Sequence, residues 1–192
     1  MAERCEWCRG DPLYEAYHDQ EWGYPQRDPG TLFEFLILEG AQAGLSWITI
    51  LRKRDAYREA FSDFDPARVA AYGKRDVNRL MKNEGIVRNR LKIESAVRNA
   101  RAWLELDDPA AWLWSFVDGA PVQHRFKTMA EVPAHDDVAL QMSKALKKSG
   151  FNFVGPTICY AFMQATGMVN DHMTDCPRFE PCRAAALELA GR

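Results

Sequence analysis

The sequence lacks a long apolar segment, an apolar leader and an excess of positive charge. No run approaches the roughly 18 consecutive apolar residues that a membrane-spanning helix requires, and the first ten residues, MAERCEWCRG, carry charges where a signal peptide is apolar. We therefore predict a soluble, cytoplasmic protein with no membrane partner. The formal net charge of −2 argues against a protein that coats nucleic acid through bulk charge, so a nucleic-acid partner would require local positive charge.

Cysteines and strand patterns are also sparse. Five cysteines in a 192-residue chain without an export signal favour free thiols or metal ligands over a disulfide framework. No segment shows a convincing alternation rich in β-branched residues, so we predict an all-α protein. With 47% hydrophobic residues the chain can bury one sizeable core, and we predict a single unit over residues 1–192.

Apolar periodicity and helix-terminating residues predict helices along most of the chain. Residues 30–43 form an apolar run too rich for a surface helix, so we expect this helix at the centre of the fold. Gly44 and Leu45 interrupt it, and Ser46 can cap a helix over 46–61. Further helices are predicted over 66–72, 76–84, 89–106, 109–118, 136–148 and 157–165, and residues 121–133 are predicted to form a loop.

Two Cys/His pairs lie near opposite ends of the chain, Cys5 with His18 and His172 with Cys176. Four such ligands suit tetrahedral zinc, and a complete Cys2His2 set would make the metal structural, because no position is left for water. The alternative is that these are unrelated core cysteines and surface histidines. Cys8 is a competing ligand because it forms a Cys-x2-Cys spacing with Cys5, and spacing alone does not decide.

Glu39 is an anomaly because it lies in the apolar segment FLILEGAQAGLSW, where its carboxylate should be buried. It is either a core acid paired with another residue or a functional carboxylate in a desolvated pocket. Aromatic residues lie in neighbouring sequence regions, at Trp7, Tyr14, Tyr17, Trp22 and Trp47. A carboxylate among such rings suits a flat, cationic ligand that donates hydrogen bonds, such as an alkylated purine.

The segment NEGIVRNR places a short glycine turn between two predicted helices, where backbone N–H groups can face a phosphate. Basic residues follow it and also cluster elsewhere, as Arg88, Arg90 and Lys92; Lys144, Lys147 and Lys148; and Arg52, Lys53 and Arg54. Taken alone, such a cluster is more often a solvated face than a DNA contact, but the presence of three in a protein without net positive charge adds weight to DNA binding.

Several stretches together resemble the bacterial 3-methyladenine DNA glycosylase I family of the helix-hairpin-helix superfamily. They are RCEW, DPLYEAYHDQEWG, LFEFLILEGAQAGLSWITIL and SKALKKSGFNFVGPTICYAFMQATGMVNDH, and the likeness covers roughly residues 3–176 in consistent order. It implies a monomeric helix-hairpin-helix glycosylase, without lyase activity, that flips 3-methyladenine out of double-stranded DNA and excises it. It also leaves open a division into two helical lobes, with the metal-joined termini in one and the hairpin region in the other.

The resemblance also implies roles for individual residues. One structural Zn²⁺ falls on Cys5, His18, His172 and Cys176, which argues against Cys8. The catalytic, base-binding carboxylate is Glu39, and the substrate-binding residues are Tyr17, Trp47, Trp7, Tyr14, Trp22 and Gln42. Gly44 and Leu45 match a loop that wedges into the duplex, and further DNA contacts are expected from Gly85, Ile86, Arg88, Arg90, Lys144 and Lys147.

The sequence departs from the superfamily pattern at two places. Val87 stands where the hairpin's second glycine usually lies, and Asp107 and Asp108 come too late for the superfamily's usual catalytic aspartate, so we interpret them as structural. The four closely spaced cysteines of an iron–sulfur cluster are missing. Two other functions stay open: a non-catalytic, zinc-stapled helical DNA-binding module, and a zinc hydrolase, which would need an open coordination position.

Overall fold

The computed structural model describes residues 3–190, and most of them lie in helices. Within that range the helices are α1 (Pro12–Gln20), α2 (Pro29–Gln42), α3 (Trp47–Leu51), α4 (Arg54–Ala60), α5 (Pro66–Ala70), α6 (Lys74–Leu80), α7 (Arg90–Leu104), α8 (Pro109–Trp114), α9 (Asp137–Lys148), α10 (Pro156–Ala165) and α11 (Phe179–Ala190). No helix in these residues is both long and apolar enough to cross a membrane. The predicted helical fold is confirmed, apart from one very small sheet.

Four helices begin at an Asp-Pro pair. In each, the aspartate side chain accepts a hydrogen bond from backbone amides of the first turn, and proline occupies the first helical position, where no amide donor is needed. The pairs are Asp11-Pro12, Asp28-Pro29, Asp65-Pro66 and Asp108-Pro109, which start α1, α2, α5 and α8. The helix starts predicted at residues 66 and 109 are therefore confirmed.

Helix α2 occupies the centre of the fold, as its apolar composition predicts. Leu32, Leu36 and Leu38 are fully buried, and α2 packs against α3, α7, α8 and α10. Because helices surround it, the one acidic residue near its C-terminal end, Glu39, is enclosed as well.

Several predicted boundaries shift for identifiable reasons. The helix predicted over 46–61 divides into α3 and α4. At the junction the Lys53 amide donates to the carbonyl of Ile50, three residues back, and this tighter turn interrupts the α-helical hydrogen bonding. Helix α6 begins two residues early, since Gly73 is its N-cap and the Asp76 carboxylate accepts a hydrogen bond from the Gly73 amide at 3.0 Å. It ends at Leu80, four residues before the predicted end.

The predicted loop over 121–133 contains strand β1 (Val122–Gln123), which pairs in parallel with β2 (Val169–Asn170). Val122 lies opposite Val169, and Gln123 lies opposite Asn170. Two-residue strands are too short to show an alternating pattern, so the sequence does not reveal them. The pairing joins the segment after α8 to the segment after α10.

The turn between α6 and α7 packs closely on α4. A Cβ added to Gly85 would lie 2.7 Å from the Cβ of Ala56, and the Gly85 amide donates to the side chain of Asn83 at 2.8 Å. Glycine is needed here because any side chain would push the turn away from α4.

Candidate functional site

A cavity of about 200 Å³ is lined by residues of α1, α2, α3 and α10. Its walls contain the seven residues predicted to bind a base, Trp7, Tyr14, Tyr17, Trp22, Glu39, Gln42 and Trp47, and three that were not predicted, Met129, Ala161 and Gln164. We call this cavity the aromatic pocket. It is smaller than the roughly 300–1,000 Å³ of sites for drug-sized ligands, so its size suits a single small heterocycle.

Glu39 places a buried carboxyl group in the aromatic pocket. Its side chain is 3% exposed, and burial raises its pKa from 4.5 to about 8. Among the described residues none forms a hydrogen bond or ion pair with Glu39 that would offset the free-energy cost of burying its charge. The interpretation of Glu39 as a core acid paired with an internal partner is therefore not supported, and a ligand with hydrogen-bond donors or positive charge would satisfy it.

Aromatic rings line the rest of the aromatic pocket. Trp7 packs edge-to-face against Tyr14 and Trp22, with ring centroids 4.7 Å and 5.0 Å away, and the centroid of Tyr17 lies 5.5 Å from that of Trp47. The indole N–H groups of Trp7 and Trp47 are buried, and neither has a hydrogen-bond partner within residues 3–190. The pocket thus combines apolar ring faces with polar groups that remain available to a ligand.

Burial is also the main influence on Tyr17 within the aromatic pocket. It raises the pKa of the phenol well above its usual range, and the nearby negative charge of Glu39 raises it further. Tyr17 therefore stays protonated and keeps an O–H donor in the pocket.

A buried arginine, Arg54, links elements that form the walls of the aromatic pocket. Arg54 donates to Glu34 of α2 and to Glu21, which follows α1, each at 2.6 Å, and its guanidinium lies 5.1 Å from the ring centroid of Phe35. Phe35 in turn stacks on Trp47 at an interplanar angle of 21°. Arg54 therefore forms part of the scaffold. This role could not be predicted from the sequence, where Arg54 is the last residue of a basic cluster of the kind that usually lies in solvent.

The other two residues of that basic cluster, Arg52 and Lys53, also bind groups within the protein. Arg52 pairs with Asp11, and Lys53 donates to the backbone carbonyl of Glu84 at 2.9 Å. These contacts weaken the interpretation of residues 52–54 as a DNA-binding cluster.

The predicted wedge lies on the turn that follows α2. Gly44 has a positive φ of 78°, a conformation that glycine adopts without strain, and Leu45 is 39% exposed. The Gln42 side chain donates to the Leu45 carbonyl at 2.9 Å, and Lys92 donates to the carbonyls of Ala41 and Ala43 at 2.7 Å and 2.6 Å. The turn is thus tied both to the aromatic pocket, through Gln42, and to the first turn of α7.

The residues predicted to contact DNA around the α6–α7 turn differ in accessibility. The Ile86 side chain is 2% exposed, so any contact from Ile86 must come from its backbone. Arg88 and Arg90 are exposed and lie 3.3 Å and 3.5 Å from Glu84 and Glu94. Lys144 and Lys147 are exposed on α9.

The four predicted metal ligands converge from opposite ends of the chain. One ligand atom from each of Cys5, His18, His172 and Cys176 lies within 4.8 Å of all the others, and all four residues are buried. The Cys176 sulfur is 3.5 Å from both His18 Nε2 and His172 Nδ1. Cys8 lies outside the group and donates to the Cys5 carbonyl at 3.1 Å, so the fold brings together the ligand set without it.

The donor chemistry of this Cys/His group fits a metal ion. His18 Nδ1 contacts Asp19 at 2.8 Å and His172 Nε2 contacts the Trp22 carbonyl at 2.9 Å, which orients the opposite ring nitrogens toward the cysteines. Hydrogen bonds from Cys5, His172 and His18 lower the pKa of the Cys176 thiol, which favours the thiolate that a metal binds. The acids that flank His172 and Cys176 do not orient the imidazoles, because Asp171 contacts His124, Tyr160 and Gln164 and Asp175 is exposed.

Met129, Ala161 and Gln164 were missed in the sequence for different reasons. Met129 lies in the segment that the sequence predicts as a loop, and Ala161 has no chemistry to signal a site. Gln164 lies in the last turn of α10, within the stretch FVGPTICYAFMQATG, where a glutamine in an otherwise apolar part of the helix is a signal that the sequence does contain.

The chain is similar to proteins that act on methylated adenine. A family model described as methyladenine glycosylase matches residues 7–179. The DNA-3-methyladenine glycosylase 1 of Escherichia coli (strain K12) is 51% identical over 178 residues, which are 91% of this chain and 95% of that protein.

Two solved structures have the same fold. A crystal structure of 3-methyladenine DNA glycosylase I aligns with a TM-score of 0.90 and 52% identity, over 91% of this chain and 98% of that one. A single-residue variant of 3-methyladenine DNA glycosylase I in complex with 3-methyladenine aligns with a TM-score of 0.89 and 40% identity, over 91% of this chain and 96% of that one.

Proposed function

The chain belongs to the methyladenine glycosylase family, and from that premise we propose that it excises 3-methyladenine from alkylated DNA through the aromatic pocket. It is a DNA-3-methyladenine glycosylase of base excision repair, which hydrolyses the N-glycosidic bond of the methylated base. One observation carries the assignment of this activity to the pocket: the Glu39 carboxylate is buried there, and no residue that the structure describes pairs with it.

Glu39 selects the base by charge and by hydrogen bonding. Methylation at N3 makes adenine cationic, and a buried carboxylate gains more from a cation with N–H donors than from a neutral base. Trp47 and the other rings add stacking and cation–π attraction. A normal adenine receives the stacking but not the charge pairing, so it is bound less well.

The base must leave the helical stack before it can enter the aromatic pocket. Unstacking is easiest where damage has already weakened base pairing, which favours the lesion over normal pairs. Leu45, exposed on the turn after α2, fills the gap in the duplex, and Gly44 allows the tight turn that presents it. Gln42 and Lys92 hold that turn in place through its carbonyls.

The bond cleavage needs little acid catalysis. When the C1′–N9 bond breaks, its electron pair goes to the cationic base, which departs as a neutral molecule. The sugar carbon becomes electron-deficient, water adds its oxygen to C1′, and the water proton is released. The Glu39 carboxylate stabilises the positive charge as it develops on the sugar. No covalent bond to the protein forms, so no lyase step follows.

Zinc is the metal that the Cys/His group would hold. Two thiolates and two imidazoles complete a tetrahedral shell and leave no position for water, so the ion would be structural. It would join the N-terminal turn and α1 to the segment after β2. This closed shell disfavours a zinc hydrolase.

The DNA surface includes the α6–α7 turn, which we assign as the helix-hairpin-helix element. The amides of Gly85 and Val87 have protein partners, Asn83 and Tyr57, so phosphate contacts there fall to the Ile86 amide and to the exposed Arg88 and Arg90. Lys144 and Lys147 extend the contact along α9. We propose that the protein works as a monomeric single unit in the cytoplasm, on double-stranded DNA.

The direct test of the function is to identify the free bases that the purified, zinc-loaded protein releases from methylated double-stranded DNA. We expect 3-methyladenine as the main product with little 7-methylguanine, measured by chromatography and mass spectrometry. A folded, metal-containing protein that binds this DNA but releases no base would contradict the function and favour a non-catalytic DNA-binding module.

A further inference from the structure

A buried hydrogen-bond cluster lies behind the aromatic pocket, centred on Asp171. The side chain of Asp171 is completely buried. One of its oxygens, Oδ2, accepts hydrogen bonds from the Tyr160 hydroxyl and from Gln164 Nε2, both at 2.7 Å. The other, Oδ1, lies 2.6 Å from Nδ1 of His124. Three neighbouring side chains therefore donate to this carboxylate.

The small parallel sheet positions this cluster. The register that pairs Gln123 with Asn170 continues into a hydrogen bond from the His124 amide to the Asn170 carbonyl, at 3.3 Å. His124 and Asp171 are thereby brought side by side. The aspartate stabilises the charged imidazole, and its hydrogen bond raises the pKa of His124.

Gln164 connects this cluster to the aromatic pocket, because it lines the pocket while its amide nitrogen is committed to Asp171. Its backbone is fixed too, since its carbonyl accepts a hydrogen bond from the Gly23 amide at 2.9 Å, next to the pocket residue Trp22. Within residues 3–190 no donor is bound to its side-chain oxygen, Oε1. A glutamine held at both ends in this way presents a fixed hydrogen-bond acceptor.

We propose that Gln164 is a specificity-determining residue, which Asp171 holds with Oε1 toward the base so that it accepts a hydrogen bond from the exocyclic amino group of 3-methyladenine. A mobile glutamine could rotate its amide and donate to an oxo group instead. Here rotation would place Oε1 against the Asp171 carboxylate and leave two acceptors in contact. The pocket therefore favours a 6-amino purine and disfavours a 6-oxo purine such as 3-methylguanine. This inference rests on the proposed function.

The test is the ratio of 3-methyladenine to 3-methylguanine released from methylated DNA. Gln164→Met keeps the length of the side chain and removes the acceptor. We expect kcat/KM for 3-methyladenine to fall about tenfold, the worth of one buried hydrogen bond, and the release ratio to fall with it. Gln141→Met, the same substitution at an exposed position of α9, is the matched control and should leave the rate and the ratio unchanged.

Asp171→Asn is a second variant, because it tests the locking of the amide. An asparagine can donate to Oε1, so the Gln164 amide can rotate and offer its N–H to an oxo group, and we expect relative release of 3-methylguanine to rise.

Melting temperature and zinc content show which variants are folded. If Gln164→Met does not fold, the release ratio of Asp171→Asn is the deciding result. An unchanged release ratio in folded variants would overturn the role of Gln164 and leave the proposed function intact. A folded wild type that releases no 3-methyladenine would instead overturn the proposed function.

Discussion

At the scale of single residues, Glu39 shows a conflict between stability and function. Its carboxylate lies on the most buried helix of the fold, and no described residue pairs with it. An unpaired buried acid destabilises a protein, so its presence indicates a role that a neutral residue cannot perform. A charged ligand supplies the missing partner only when it is bound.

The pH dependence of stability should reveal this conflict. Burial raises the pKa of Glu39 from 4.5 to about 8, so between those pH values the folded protein keeps a proton that the unfolded chain releases. Rising pH across this window therefore destabilises the fold. Glu39→Gln removes the effect, and we expect its free energy of unfolding to exceed that of the wild type by about 5 kcal/mol at pH 9. At pH 4 the two should be nearly equal.

Denaturant melts of both proteins across this pH range measure the difference. Glu105→Gln, the same change at an exposed position, is the matched control and should track the wild type at every pH. A constant difference between wild type and Glu39→Gln from pH 4 to pH 9 would show that Glu39 is not a buried titrating acid.

At the scale of elements, local patterns predicted much of the fold. The Asp-Pro pairs mark helix starts because their physics is local: a side-chain cap and a fixed φ act within one turn. The burial of α2 could also be predicted, since a helix apolar on most faces has to be enclosed.

Contacts between distant segments could not be predicted in this way. The β1–β2 pairing depends on two residues in each segment, and the division between α3 and α4 depends on a single tightened turn. The place of Arg54 under the aromatic pocket follows from two acids on other elements. Most of the aromatic pocket and the four residues of the Cys/His group were predicted through the resemblance to a family. The place of Met129, Ala161 and Gln164 in the pocket wall required the three-dimensional arrangement.

At the scale of the whole molecule, the Cys/His group joins the two ends of the chain. Its four residues come from the N-terminal segment and from the segment after β2, so a metal ion held there would close a long loop of the chain. His18 of this group also lies against Trp7 and Trp22 of the aromatic pocket, with ring centroids 5.4 Å and 6.1 Å away. The Cys/His group and the aromatic pocket therefore share one scaffold.

Replacement of one residue of the Cys/His group should lower both the zinc content and the melting temperature. We expect Cys176→Ala to contain almost no zinc and to melt about 10 °C below the wild type, because metal binding contributes to folding. Cys182→Ala is the matched control, since Cys182 is equally buried but lies outside the group. It should keep one zinc per chain and lose only a few degrees. Unchanged zinc content and melting temperature in Cys176→Ala would remove the metal assignment.

The central claim is that Glu39 in the aromatic pocket drives excision of 3-methyladenine. The most direct measurement is the single-turnover rate of 3-methyladenine release from methylated duplex DNA by the wild type, Glu39→Gln and Glu105→Gln. We predict that Glu39→Gln is slower by about 10- to 100-fold, the worth of a charge-assisted hydrogen bond, and that Glu105→Gln matches the wild type. Equal rates for the wild type and a folded Glu39→Gln protein would contradict the claim.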